Sequence, residues 1–468
     1  MRIMLVNPPL PKEKSYGEFS FAAPKLVNLG LCSLSAYIKK NMPEAVIKVM
    51  DTSIFDLSED GIINESKRFK PDIFGITCAT VSYNASKRIL EKIKRQSHIA
   101  LTVMGGPHLS AMPKEVMLEC PYLDVGVIGE GETSFSEIIE FMSKKRTISG
   151  IDGIIYREGS DIITSKQKKV IENLDLLPFP DLDDVIMAKN SRHTPIRNSN
   201  GFSVHLVTSR GCPFRCSHCE QAVFGSVYRS NSTRYILEEI KFLKDMYNVK
   251  SIAFEDDSFV INKKKMIEFC TELLKQEIKI SWSCSLRNEL LDEELLSIMK
   301  KAGCNYLYFG IESGSNEMLK LLGKNTPLEK IEDHVNKSRK AGIKVHGSFV
   351  IGLPTETKQQ IDTTIDFAIK LKLDSVTFNL FTPFPKTKLR DLALKTGIVS
   401  TNWDYYSDHS PVPSFIPDGF TGDDILNCQK MAYRRFYLRL EYMLRHPYYI
   451  KPNMIKSSIK AIATLSGK

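Results

Sequence analysis

The chain alternates short apolar runs with longer amphipathic stretches, and it does so twice. In the first cycle the runs are RIMLVN at 2–7, VIKVMD at 46–51, DIFGIT at 72–77, ALTVMG at 100–105 and DVGVIG at 124–129. Such runs, bounded by Gly, Pro, Asn or Asp, predict strands buried on both faces of a parallel sheet. Between them lie segments such as SLSAYIKK and SYNASKRILEKIKRQ, whose apolar positions recur at helical spacing. The alternation predicts an α/β fold opening with a doubly wound, Rossmann-like parallel sheet. Each run stops at small or polar residues: Asn7-Pro8-Pro9, Asp51-Thr52-Ser53, Thr77 to Ser82, Gly105-Gly106-Pro107 and Gly129-Glu130-Gly131-Glu132. Ligands of such sheets sit beyond the carboxyl ends of the strands, so these loops are expected to share one edge.

IDGIIYREGSDIITSKQKKVI predicts a β-hairpin, and the proline- and aspartate-rich LDLLPFPDLDD an ordered linker. The second cycle begins at SVHLVTSRGC and continues through SIAFEDDSF, KISWSCSLR, YLYFGIESG, KVHGSFVIGLP and SVTFNLFTPFP. Six strand candidates with helices between them predict a partial (β/α)6 barrel. The expected division is a Rossmann-like domain at 1–145, hairpin and linker at 146–195, barrel at 196–400 and a helical, basic C-terminal region at 401–468. There is no fixed-period repeat.

A chain of 468 residues, 42% hydrophobic and 25% charged, suits a globular protein of two or three domains. No window holds the roughly 18 uninterrupted apolar residues of a membrane span, and Pro8-Pro9 cuts the first run short of a signal peptide. A cytoplasmic location is expected. There, ten cysteines point to metal ligation, catalysis or burial rather than disulfides. The net charge of +9 is spread along most of the chain, so nucleic acid is not an expected partner.

Three of the cysteines, Cys212, Cys216 and Cys219, crowd into SRGCPFRCSHCEQ at 209–221, just after the first strand of the second cycle. Structural zinc takes four ligands, commonly as paired Cys-x2-Cys units. No fourth cysteine is near, and His218 between two of the thiols completes a tetrahedron only awkwardly. Three thiolates suit three irons of a cubane cluster, leaving the fourth iron open to a small molecule. A buried or zinc-binding cysteine cluster is the alternative.

At these residues the chain resembles the radical SAM superfamily, whose motif is Cys-x3-Cys-x-aromatic-Cys; His218 takes the aromatic position. The resemblance implies a [4Fe-4S] cluster on Cys212, Cys216 and Cys219, with S-adenosylmethionine (SAM) on its open iron. SAM would be cleaved reductively to a 5′-deoxyadenosyl radical. It also implies SAM contacts at later strand ends: Glu255, Asp256 and Asp257 of FEDDSF for the methionine amino group, and Ser285, Arg287, Glu312 and Ser313 for ribose and carboxylate. Gly347, Gly352 and Glu356 of HGSFVIGLPTET would lie near adenine. Taken singly, an acidic strand end also reads as a helix cap and Gly-Leu-Pro as a turn. Their order behind the cysteines groups them.

The first domain resembles the cobalamin-binding domain that precedes the barrel in the B12-dependent branch of that superfamily. The resemblance implies that Thr77, Thr80 and Ser82 bond the nucleotide tail, and that Gly105, Gly106, Gly129, Glu130 and Gly131 line the corrin side. A Rossmann-like domain binding another nucleotide, or nothing, is the alternative. Cobalamin proteins that ligate cobalt through histidine carry Asp-x-His-x-x-Gly after the first strand, whereas NPPLPKEKSYGEFS has no histidine. Cobalt without a protein histidine below it is therefore expected, with His108 a loop hydrogen-bonder. Methylthiotransferases place a second cluster on N-terminal cysteines, but the surroundings of Cys32, Cys78 and Cys120 do not match theirs. These three are expected to be packing residues, with Cys78 near the corrin.

The C-terminal region interleaves aromatics with Arg434, Arg435, Arg439 and Arg445. They would face an anionic substrate or a lipid surface, or belong to a helix packed across the barrel, which is the preferred reading. The expected function is a cobalamin-dependent radical SAM methyltransferase acting at an unactivated carbon. Its expected partners are a small molecule, apolar as in a lipid, tetrapyrrole or secondary metabolite, and a one-electron donor such as flavodoxin or ferredoxin. The alternatives are a radical cyclase or rearranging enzyme without net methyl transfer and, from another class, a non-catalytic corrinoid- or nucleotide-binding sensor. No acid or base is legible.

Overall fold

The structure, a computed structural model, describes residues 1–17, 26–96, 101–186, 202–259, 261–286, 291–324 and 326–446. Two compact units emerge among them, one built from 1–11, 26–214 and 220–251, the other from 12–17, 215–219 and 252–446.

The first sheet contains β1 (Arg2–Asn7), β2 (Val46–Asp51), β3 (Ile73–Thr77), β4 (Leu101–Gly105), β5 (Val125–Val127), β6 (Ile154–Glu158) and β7 (Asp161–Thr164). Its order is β2-β1-β3-β4-β5-β6-β7. β1 to β5 pair in parallel, and the β6–β7 hairpin adds on antiparallel. The hairpin read from the sequence as part of a connector thus extends this sheet, because Ile154, Ile155 and Tyr156 supply a fully buried rung beside β5. The order 2-1-3-4-5 reverses between β1 and β3, which makes the carboxyl ends of these strands the binding edge. Register places Asn7 opposite Asp51 and Thr77 opposite Gly105, so the loops named above do open together. The core beneath them joins Leu5, Val103 and Val127 to Leu31 and Phe135 of the flanking helices Leu29–Asn41 and Glu132–Met142.

Short strands β8 (Ser203–Leu206), β9 (Ser209–Arg210) and β10 (Arg229–Ser230) follow. The second sheet continues with β11 (Ser251–Phe254), β12 (Ser281–Leu286), β13 (Cys304–Glu312), β14 (Lys344–Ile351) and β15 (Ser375–Leu380), in the order β15-β14-β13-β12-β11-β8. It forms the expected six-strand partial barrel, with β12 to β15 paired in parallel. Alternation runs along most of the last three strands: Leu307, Phe309, Val345, Phe349, Val376 and Phe378 are buried, while the opposite face is largely polar until Val350 near the end of β14, which is buried as well. On that face His346 meets Ser375 Oγ at 2.7 Å and Thr377 Oγ1 at 3.2 Å, and Asn379 donates to Ser348 Oγ at 2.9 Å.

The free edge of β15 is capped by side chains of helix Gly422–Tyr437. Val376 N donates to Tyr437 Oη at 2.9 Å, Phe378 N to Tyr433 Oη at 3.1 Å, and Gln429 Nε2 to Phe378 O at 2.7 Å. These bonds satisfy a ladder that would otherwise recruit another chain. The C-terminal helix thus packs across the barrel, and Arg435 on its outer side pairs with Asp362 and Asp366 at 3.0 and 2.5 Å.

Candidate functional site

The cysteine loop is anchored from both ends. On the Cys212 side, Gly211 has φ +78°, and a Cβ there would lie 2.3 Å from Val227 O, so only glycine fits. Cys212 N donates to Gly225 O, and Gln221 Nε2 donates to both Cys212 O and Phe214 O at 2.9 Å. On the other side Ser217 Oγ donates to Leu321 O at 2.8 Å and Ser217 N to Leu322 O, while Cys219 N closes a turn on Cys216 O. The loop keeps Cys212, Cys216 and Cys219 accessible, whereas the other seven cysteines are buried. Burial pushes the thiols of Cys78 and Cys120 up to about 12 and 11, and that of Cys32 higher still, which makes all three poor ligands. They pack, as expected.

Glu312, the last residue of β13, is 9% exposed with φ +69° and pairs with Lys324 at 2.8 Å. His218, from the cysteine loop, feels both charges, but burial dominates and holds its imidazole below the ordinary histidine range. Asp408, tied through its backbone to the end of β15 at Leu380, has its carboxyl raised to about 6 by burial and by Glu312. At the end of β11, Glu255 and Asp257 are exposed, yet partial desolvation by the protein around them raises both carboxyls. Asp256 between them is 2% exposed, its charge registered at buried Cys284 instead.

The remaining expected contacts divide. Ser285 is half-buried at the end of β12, and Gly352, φ +79°, is fixed by Glu356, whose Oε2 accepts from Gly352 N and Leu353 N. Ser313 is fully buried against Thr364 at 3.1 Å. Gly347 turns its Cα hydrogen toward Leu373 and Ile311, so packing under the helices explains that glycine. Arg287 lies outside the described residues.

In the first unit a cleft of about 150 Å³, open to solvent, runs along the ends of β1, β3, β4 and β5. Leu31, Leu34, Val103 and Phe135 make its apolar floor; Thr77, Gly105, Gly106, Gly129, Glu130 and Gly131 reach its rim. Gly106 is obligatory, since its φ is +98° and a Cβ would lie 2.8 Å from Cys78 N. Thr80 and Ser82 turn inward: Thr80 Oγ1 meets His108 Nδ1 at 3.2 Å, and Ser82 Oγ bonds Ala79. His108 is a buried hydrogen-bonder whose ring lies tilted against Tyr83, centroids 4.4 Å apart. Glu130 and Glu132 clasp Arg210 at 2.8 and 2.5 Å, and Arg229 pairs with Glu130 at 2.6 Å. Sequence reasoning passed over Arg210, although it stands two residues before Cys212. Lys324 and Asp408 gave no sequence signal, because only the fold brings them to the end of β13.

Residues 206–368 match the Radical SAM superfamily model, and residues 22–139 match the B12 binding domain model. An uncharacterized methyltransferase of Pyrococcus horikoshii is 33% identical over 464 residues, covering 99% of this chain and 98% of its own. The chain belongs to the B12-binding branch of the radical SAM superfamily. The anaerobic magnesium-protoporphyrin IX monomethyl ester cyclase of Rubrivivax gelatinosus is 28% identical over 89% of this chain and 74% of its own. In fold, this radical SAM protein is similar to the methyltransferase TsrM of Kitasatospora setae: the TM-score is 0.70 at 17% identity, over 93% of this chain and 85% of that one. The cofactors of its two domains are SAM with a [4Fe-4S] cluster, and cobalamin.

The donor chemistry fits both groups. Three accessible thiols on one anchored loop suit a cluster, although among the described residues no three His, Cys, Asp or Glu side chains stand gathered enough to hold a metal ion. An apolar cleft with a glycine rim at the β1/β3 reversal suits a nucleotide tail. Among the described residues no helix is long and apolar enough to cross a membrane.

Proposed function

We propose that this enzyme methylates an unactivated carbon of a small molecule, using SAM and cobalamin. The observation that carries the reading is the full-length match to a methyltransferase, spanning both the glycine-rimmed cleft and the accessible cysteine loop. When bound, the cluster supplies the electron that splits SAM into methionine and a 5′-deoxyadenosyl radical, and cobalamin carries the methyl group.

The chain's own residues have defined tasks in this reading. Cys212, Cys216 and Cys219 hold iron. Glu255, with Asp257 beside it, receives the SAM amino group, and Glu312, held at 2.8 Å by Lys324, receives hydroxyl donors. Ser285 and the Gly352 backbone complete that edge. Thr77, Gly105, Gly106, Gly129 and Gly131 would hold cobalamin at the cleft, while His108 bonds Thr80. The domains are assigned as 1–145 for cobalamin, 146–195 as hairpin and linker, 196–400 for the barrel and 401–468 for the helical closure. A flavodoxin- or ferredoxin-type donor supplies electrons in the cytoplasm.

The similarity to a cyclase supports a second reading, ring formation without net methyl transfer. Mass spectrometry of SAM products separates the two. Anaerobically reconstituted enzyme receives hydroxocobalamin, reductant and a soluble plus lipid extract of the host. S-adenosylhomocysteine and 5′-deoxyadenosine rising together, only with cobalamin, support methylation; deoxyadenosine alone supports the cyclase reading.

A further inference from the structure

Arg210, in the first unit, lines the cleft and stands two residues before Cys212. Its backbone leads through Gly211 to Cys212. One guanidinium nitrogen reaches Glu130 Oε2 at 2.8 Å, the other Glu132 Oε1 at 2.5 Å, and Arg229 reaches Glu130 Oε1 at 2.6 Å. The four side chains are only 6–12% exposed. Two carboxylates and two guanidinium groups make a neutral lattice in which each charge has a partner.

The surroundings fix this lattice to the cysteine loop. Phe224 lies 5.3 Å from the Arg210 guanidinium and, with Val223, also lines the cleft. The next residue, Gly225, accepts the Cys212 N–H. β9 and β10 pair Arg210 with Arg229 directly. A ligand filling the cleft would displace water from Arg210, Glu130 and Glu132, and ion pairs strengthen as the local dielectric falls. A stiffer lattice has one covalent outlet toward a proposed iron ligand, the two-residue step from Arg210 through Gly211 to Cys212.

We propose that Arg210 is a positioning residue through which occupancy of the cobalamin cleft and loading of the cysteine loop with iron favour each other. The proposal rests on the cofactor assignment above. Coupling of this kind is reciprocal, so it can be read from cobalamin binding without any turnover. Lysine is a poorer substitute for arginine here, because its single nitrogen would have to serve two carboxylates that Arg210 meets with separate nitrogens of one rigid plane.

The test is spectrophotometric titration of hydroxocobalamin into the full chain, with and without the reconstituted cluster. In the wild-type protein the cluster is expected to tighten cobalamin binding by roughly 5-fold or more, the lower end of typical coupling between sites. In Arg210→Lys, and independently in Glu132→Gln, that ratio should fall below about 2-fold, with circular dichroism reporting the fold. In parallel, the EPR signal of the reduced cluster should change on adding cobalamin in the wild type and not in the variants. Equal cobalamin affinity with and without cluster in the wild type overturns the proposal, and so does a wild-type ratio retained in folded variants. No cobalamin binding in either form overturns it together with the cofactor assignment, a result distinct from equal, measurable affinities.

Discussion

Lys324 Nζ lies 2.8 Å from Glu312 Oε1 and 2.6 Å from Gly310 O, so a loop lysine neutralises the carboxylate at the end of β13. Both side chains are shielded, at 13% and 11% exposure. Removing the lysine leaves a nearly buried charge, and breaking a buried pair costs about 3 kcal/mol. Lys324→Met should lower stability by about that amount and weaken SAM binding, whereas Lys324→Arg should retain most of both. Urea melts and equilibrium dialysis with labelled SAM check this; unchanged SAM affinity in a folded Lys324→Met would remove Glu312 from the SAM site.

The cysteines separate by exposure. Cys216→Ala should leave fewer than about three irons per chain after reconstitution and abolish 5′-deoxyadenosine formation. Cys78→Ala, at a fully buried packing site, should cost about 1 kcal/mol and keep both iron and cleavage. Iron analysis and product quantification check the pair. Retained cleavage in Cys216→Ala would refute the cluster assignment.

Glu356 predicts a pH dependence. It is 3% exposed, and burial raises its carboxyl from 4.5 to about 7, although the Gly352 and Leu353 amides pull downward. Between these values the unfolded chain releases a proton that the folded chain keeps. Stability from this group is therefore full below about pH 4.5 and is lost as pH rises through about 7, by at most about 3 kcal/mol. Glu356→Gln keeps an oxygen for the two amides and does not titrate. Its stability relative to wild type should rise between pH 5 and 8, as measured by urea melts at each pH; a constant difference would mean that Glu356 titrates normally.

Tyr437 accepts from Val376 N and donates to Val376 O, both at 2.9 Å, at the free edge of β15. Tyr437→Phe leaves both backbone groups without this partner and should cost about 1–2 kcal/mol. It should also increase association, because an uncovered edge strand pairs with other chains. Urea melts and light scattering read the two effects. An undisturbed melt would show that water replaces the hydroxyl freely.

Much of this molecule was legible in its chain because the deciding features are local. A run such as RIMLVN must bury both faces wherever it packs, so the strands, their order of appearance and the α/β class followed from periodicity. The cysteine loop was legible for the same reason: three thiols within eight residues need no tertiary information to be recognised as one group. What the fold alone decided concerns direction and partnership. Alternation along a strand end is settled by twist and packing, so FEDDSF could not announce that Glu255 and Asp257 stay open while Asp256 turns inward. Gly347 resembled a ligand glycine, yet Leu373 and Ile311 occupy the space beside it. Glu130 and Arg210 stand 80 residues apart, as do many charges. Only folding removes the water between two such groups, and a salt bridge at 2.8 Å in a shielded setting exists only once the chain has brought them there.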